Sequence, residues 1–174
     1  MGAEMSLQSF TRCIPESSVF HDIAFSSLES EPLRLGYEYW KSKCGGRRFP
    51  AREDIRPREI ATLLRYVSLI KVDGDDFVYR IVGDTIVMSY GVPLQNRRLS
   101  DLVYDEPGFG AFVIPFLRQV ADTGEPLARR GKVGRDVTRV NFTHCENLLL
   151  PLGADDATVD YVLTFSSYVS QPLG

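Results

Sequence analysis

Tyr66-Val-Ser-Leu-Ile-Lys-Val72, Asp73-Gly-Asp-Asp76, Phe77-Val-Tyr-Arg-Ile-Val-Gly83, Asp84-Thr-Ile-Val-Met-Ser-Tyr-Gly91 and Asn96-Arg-Arg-Leu-Ser-Asp-Leu-Val103 form the stretch whose reading decides the fold. The first and third pieces are apolar and β-branched, and the Asp/Gly cluster between them is turn chemistry, so they predict a hairpin. Past Gly83 the apolar spacing changes to a helical one, with Asp84 placed as an N-cap and Ile86, Val87 and Tyr90 on one face. A hairpin followed at once by a short helix and a loop opens a small α+β sensory or ligand-binding domain better than an enzyme core.

Outward from that stretch, Gly108 to Asp122 carries the clearest amphipathic pattern. Phe109, Phe112, Val113, Phe116, Leu117 and Val120 recur at i, i+3, i+4, i+7, i+8 and i+11. Pro115 lies inside it and predicts a kink or break near Ile114. Three strands follow at about 127–133, 139–151 and 158–169, separated by Gly134-Arg-Asp and Gly153-Ala-Asp-Asp turns. Toward the N-terminus, Ser30-Glu31-Pro32 reads as a helix start with Ser30 as N-cap. Leu33, Tyr37, Trp40 and Cys44 form its apolar stripe, and Gly45-Gly46 stops it. Pro57 to Arg65 is a second short helix. Residues 1–30 show no sustained period and predict a weakly ordered arm or one short helix. The domain boundaries follow: arm 1–30, helical segment 31–65, sheet-and-helix domain 66–170. Strands, then helices, then strands imply one antiparallel sheet of five strands with helices on one face, plus the N-terminal helical extension. The outer face of such a sheet needs a cover, which the Leu33–Cys44 helix or a second copy of the chain would supply.

The net charge of −3 argues against a general nucleic-acid binder. No apolar run of about 18 residues predicts a membrane span, and no basic-then-apolar leader opens the chain, so a cytoplasmic setting is expected. Cys13, Cys44 and Cys145 are odd in number, widely spaced and without a C-x-x-C pair, which fits reduced thiols rather than a disulfide framework or a zinc site. Arginines 47, 48, 52, 56 and 58 make a basic cluster, and no basic residue follows Val140, where Glu146, Asp155, Asp156 and Asp160 stand. The two regions read as solvated surface or as complementary charge between subunits or with an acidic partner.

The order strand–strand–helix–helix–strand–strand–strand resembles that of PAS domains. Trp40, Gly45-Gly46-Arg47, Pro50-x-Arg52, Asp54-Ile55-x-Pro57, Leu63-Leu64, Val67, Leu69 and Tyr79-Arg80-Ile81-Val82-Gly83 resemble more closely a small, stand-alone bacterial PAS-like family with a helical N-terminal segment ending in a Gly-Gly-Arg-x-Pro-x-Arg connector. The resemblance spans about 33–169. It implies a PAS fold and a sensory or regulatory role, with signalling through an unknown protein partner or a homodimer because no output domain follows Val169. A ligand-free interaction or scaffolding module is the alternative reading, and a small enzyme of unrecognised type the remote one.

No nucleophile elbow, P-loop, His-Glu-x-x-His or dinucleotide fingerprint occurs, so no catalytic residue and no metal ligand is expected. The Gly108–Asp122 helix contains no His, Cys, Met or Tyr, which disfavours an axial haem ligand. Asn96-Arg-Arg-Leu holds no Cys where a cysteinyl-flavin photosensor of the resembled fold carries one. What remains is a small-molecule pocket between sheet and helices. Tyr90, Phe112 and Phe116 are its candidate apolar lining. His144 would reach it from a strand. Arg80, if it shares the helix-facing parity with Val78 and Val82, would be a buried cation needing an acidic ligand or a protein carboxylate such as Asp84 or Asp101.

Overall fold

The computed structural model describes residues 19–105, 107–133 and 140–170; the side chains of 104, 105, 107–112 and 170 lie outside that description, as do the arm 1–18 and the Gly134-Arg-Asp turn. The predicted hairpin is β2 (Val67–Asp73) and β3 (Asp76–Val82), turning at Gly74, whose φ of 62° is open to a residue without a β-carbon. The later strands are β4 (Leu127–Lys132), β5 (Phe142–Leu152) and β6 (Tyr161–Ser170). With a further strand β1 (Val19–Asp22), all neighbours pair antiparallel in the order β1-β4-β5-β6-β2-β3.

Among the described residues the sheet has six strands rather than five. The additional one is β1 (Val19–Asp22), from the stretch expected to be a loose arm, and it docks on the free edge of β4. Four residues of mixed polarity carry no readable alternation; the order comes from the edge they join.

Helices α2 (Asp84–Tyr90), α3 (Leu99–Asp105) and α4 (Pro107–Thr123) cover one face, called inner here. Of the expected kink or break in α4, the break does not occur: the helix runs through Pro115. The lost backbone bond costs about 3 kcal/mol, and burial of Ile114, Phe116, Leu117 and Val120 on the same helix offsets it, at about 1.5–3 kcal/mol for each large apolar side chain.

The outer face is covered by α1 (Glu31–Cys44), so helices lie on both sides of the sheet. Leu33, Gly36 and Trp40 are its buried positions, against Phe165 on β6 and neighbouring strand residues. The Trp40 indole N–H donates to the Pro151 carbonyl at 3.0 Å. Tyr37 stacks on Phe25 at 4.3 Å and on Trp40 at 6.2 Å. Gly45, at φ 56°, ends the helix as its sequence requires. It starts where expected, with Ser30 at the N-cap and Pro32 in the first turn, but the Ser30 side chain makes no capping hydrogen bond. The Glu146 carboxylate on β5 caps instead, accepting the backbone N–H of Ser30 at 2.9 Å and of Glu29 at 3.1 Å.

Two of the five arginines in the basic cluster, Arg47 and Arg48, find acidic partners inside the chain. Arg47 lies 3.5 Å from Asp156 and donates to Gly153 O, while Arg48 donates to Asp156 O, Thr123 O and Glu125. These contacts fasten the connector to the β5–β6 turn and to the end of α4. No described helix is long and apolar enough to cross a membrane.

Candidate functional site

Strand alternation sorts the sheet's two faces by polarity. On β6, Leu163 and Phe165 point outward, while Thr164, Ser166 and Tyr168 point inward; on β5, Leu148 and Leu150 go outward and Asn147 and Leu149 inward. Ser68 and Ile70 of β2 and Tyr79 of β3 continue the inner row. A row of hydroxyls and an amide therefore faces the helices at the middle of the molecule. Ser68, Thr164 and Ser166 are all buried. A buried hydroxyl without a partner costs about 1–3 kcal/mol, so the sequence must satisfy each of them.

Part of that satisfaction is internal. Ser68 and Thr164, directly opposite across the β2–β6 ladder, are hydrogen-bonded hydroxyl to hydroxyl. Tyr90 and Ser166 engage the Tyr168 hydroxyl in hydrogen bonds. The Asn147 amide reaches Cys145 Sγ at 3.3 Å. Tyr90, Phe142 and Tyr168 pack as a trio of rings with centroids 4.7–5.9 Å apart. Burial pushes the phenols of Tyr79, Tyr90 and Tyr168 above the ordinary range and the Cys145 thiol up to about 11. All four stay neutral at ordinary pH and serve as hydrogen-bonding groups rather than anions.

Between this row and helices α2 and α4 lies a cavity of about 50 Å³, closed on the helix side by Ile86, Tyr90, Val113, Phe116 and Leu117. It has room for a few waters or for a small polar group. Its lining is mixed, apolar walls with convergent neutral polar atoms, which is the usual composition of a small-molecule site.

The expected site residues separate. Tyr90 and Phe116 line the cavity. Phe112 is on α4, but its side chain lies outside the described residues. His144 is exposed, its ring Nδ1 3.0 Å from the Thr143 hydroxyl, on the face opposite Asn147. Arg80 is exposed as well. The helix-facing parity of β3 belongs to Phe77 and Tyr79, and a bulge between Leu69 and Ile70 leaves Arg80 as the unpaired extra residue. Val78 pairs with Lys71 and turns outward, while Val82, opposite Ser68, returns to the inner face beyond the bulge, so the parity carried from Val78 through Arg80 to Val82 does not hold and the cation lies outside. Its supposed partners Asp84 and Asp101 are exposed too.

The inward cation is Arg129 on β4, whose register partner is Asn147 and whose guanidinium carbon stands 3.8 Å over the Phe116 ring. Sequence reading missed it because adjacent strand residues point to opposite faces, and nothing in Arg129-Arg130 itself says which face is inner. It missed the polar row too, although Thr164-x-Ser166-x-Tyr168, alternating with the outward Leu163 and Phe165, is a period-two signal. Among the described residues no group of three or more His, Cys, Asp or Glu side chains is placed to hold a metal ion.

No curated protein matches the chain. The family model described as PAS domain matches residues 28–165, from just before α1 into β6. That span takes in α1, the connector, the hairpin and most of the sheet. The chain belongs to the PAS domain family, a family of sensory and regulatory modules.

Proposed function

We propose that this chain is a sensory or regulatory module that takes a small polar molecule into the cavity between the sheet's inner face and helices α2 and α4. The observation that carries the reading is the inward row Ser68, Asn147, Thr164, Ser166, Tyr168. Five polar residues at the centre of a core are an expensive way to pack a sheet, and apolar residues of the same shape would do so at lower cost. Hydroxyls and an amide suit a ligand that both donates and accepts. The occupied and empty states differ at β5 and β6, whose outward residues support α1, so a change at the inner face is carried to the outer one and there to a protein partner or a second copy.

One observation favours the competing reading, an interaction module with no ligand: the cavity's volume of about 50 Å³ is small. A thermal-shift comparison decides between them. Small alcohols, amides and oxo compounds should raise the melting temperature of the wild type by mass action. The same compounds should do little for Tyr168→Phe, which lacks the hydroxyl that Tyr90 and Ser166 share and should itself lose about 1 kcal/mol. Equal shifts in both proteins, or none in either, would favour the packed module.

A further inference from the structure

Two adjacent arginines on β4 receive different treatment. Arg130 faces outward and is fully engaged: its Nε and Nη2 donate to Glu146 Oε2 at 3.2 and 2.8 Å, and Nη2 donates also to the Ser27 carbonyl at 2.8 Å. Arg129 faces inward, stacked on Phe116, with 15% of its side chain exposed. Its one charged partner is Asp22 on β1, with Oδ1 2.7 Å from Nε. That contact is an ion pair without a hydrogen bond, since Nε is buried and the carboxylate stands off the N–H axis. Among the described residues Arg129 has no further polar partner. Asp22 comes from a four-residue edge strand and is 57% exposed, so it is weakly held.

A guanidinium stacked on a ring keeps its in-plane N–H edges free, and those edges match a carboxylate two bonds at a time. Asp22 does not exploit that match. One strand spacing away, about 4.8 Å, Asn147 offers its amide on the same face and lines the cavity.

We propose that Arg129 is the receptor for the carboxylate of a small hydroxy- or oxo-acid, and that Asp22 holds that place in the unliganded chain. Arg129 itself does not line the cavity; it adjoins two residues that do, Asn147 across the β4–β5 ladder and Phe116 beneath its guanidinium. The inference rests on the cavity being a ligand site and adds a charge and a fixed end to the ligand. The acid takes the fork of Arg129 and turns its hydroxyl or carbonyl toward Asn147. Asp22 is an internal competitor, so removing its charge favours the ligand.

Calorimetric titration of the full chain with lactate and pyruvate tests this, with chloride at equal ionic strength and lactamide as controls. Either acid should bind the wild type. Asp22→Asn should tighten that binding by about threefold to fivefold, the factor corresponding to an exposed ion pair. Arg129→Lys, which keeps the charge and lacks the fork, should weaken it, and Arg129→Gln should abolish it. Should Arg129→Gln fail to fold, Asp22→Asn and Arg129→Lys decide. Absence of acid binding in both wild type and Asp22→Asn overturns the proposal, as does an affinity unchanged by Asp22→Asn. Lactamide binding as tightly as lactate, and lost in Tyr168→Phe, would overturn the carboxylate site while leaving the cavity reading standing.

Discussion

Gly36 illustrates how a single hydrogen in place of a methyl sets the distance between α1 and the sheet. A β-carbon there would lie 2.7–2.8 Å from three ring atoms of Phe165, a fully buried side chain with nowhere to move. In an open helix Gly→Ala gains about 1 kcal/mol of helix propensity. Here the overlap costs about 1–3 kcal/mol, so Gly36→Ala should come out neutral to destabilising by up to about 2 kcal/mol in urea denaturation, with no gain. A stabilised variant would mean that α1 does not rest on Phe165. Arg80 and Arg129 make the complementary point about legibility. Both are mid-strand arginines, and which of them turns inward depends on a bulge in β3 and on the register of β4 against β5. Those are properties of strand pairs, absent from either strand's own sequence.

At the scale of elements, the least expected joint is the one at the start of α1. Glu146 and Arg130, on neighbouring strands, form a largely buried pair whose carboxylate also receives two backbone N–H groups ahead of the helix. Removing the carboxylate leaves a half-buried guanidinium and two donors without partners. Glu146→Ala should cost about 3 kcal/mol or somewhat more. Glu146→Gln keeps an acceptor oxygen and should lose roughly half as much. The single tryptophan, Trp40 on α1, makes its fluorescence a direct probe. Loosening of α1 should alter Trp40 emission before the far-ultraviolet signal of the sheet changes. Coincident transitions with an unchanged midpoint would refute the clamp. The helix itself was readable from its stripe and its Gly45 stop. Its cap was not, because a partner 116 residues away leaves no local mark. The same holds for β1, which exists only because β4 offers an edge. The continuity of α4 through Pro115 records burial overriding a local breaker.

For the whole molecule, the inner face has a consequence for alkaline stability. Cys145 is held near 11 against an ordinary thiol value of 9.0, and Tyr79, Tyr90 and Tyr168 are raised above 10.0, in each case chiefly by burial. The folded chain therefore keeps protons that the unfolded chain releases. Stability from these groups is fully present below about pH 9 and falls as pH rises, by at most about 1.4 kcal/mol per pH unit for each group. Denaturation midpoints should decline steadily above about pH 9, and three of the eight tyrosines should ionise only as the chain unfolds. All eight titrating together without unfolding would contradict a closed inner face. The architecture was legible because hairpin, long helix and three closing strands each carry their own period, and PAS order follows from their sequence. The site was only half legible: Tyr90 and Phe116 stood out as aromatics, whereas hydroxyls on alternate β6 positions are ordinary strand residues until β2 and β5 set Ser68 and Asn147 beside them. The central claim, that this polar row lines a ligand cavity, is tested most directly by native mass spectrometry of chain purified gently from its own cells, compared with the same sample denatured. The native spectrum should carry a small-molecule mass increment that disappears on denaturation and is missing from Ser166→Val. A bare chain mass for the native wild type, identical to that of Ser166→Val, would contradict it.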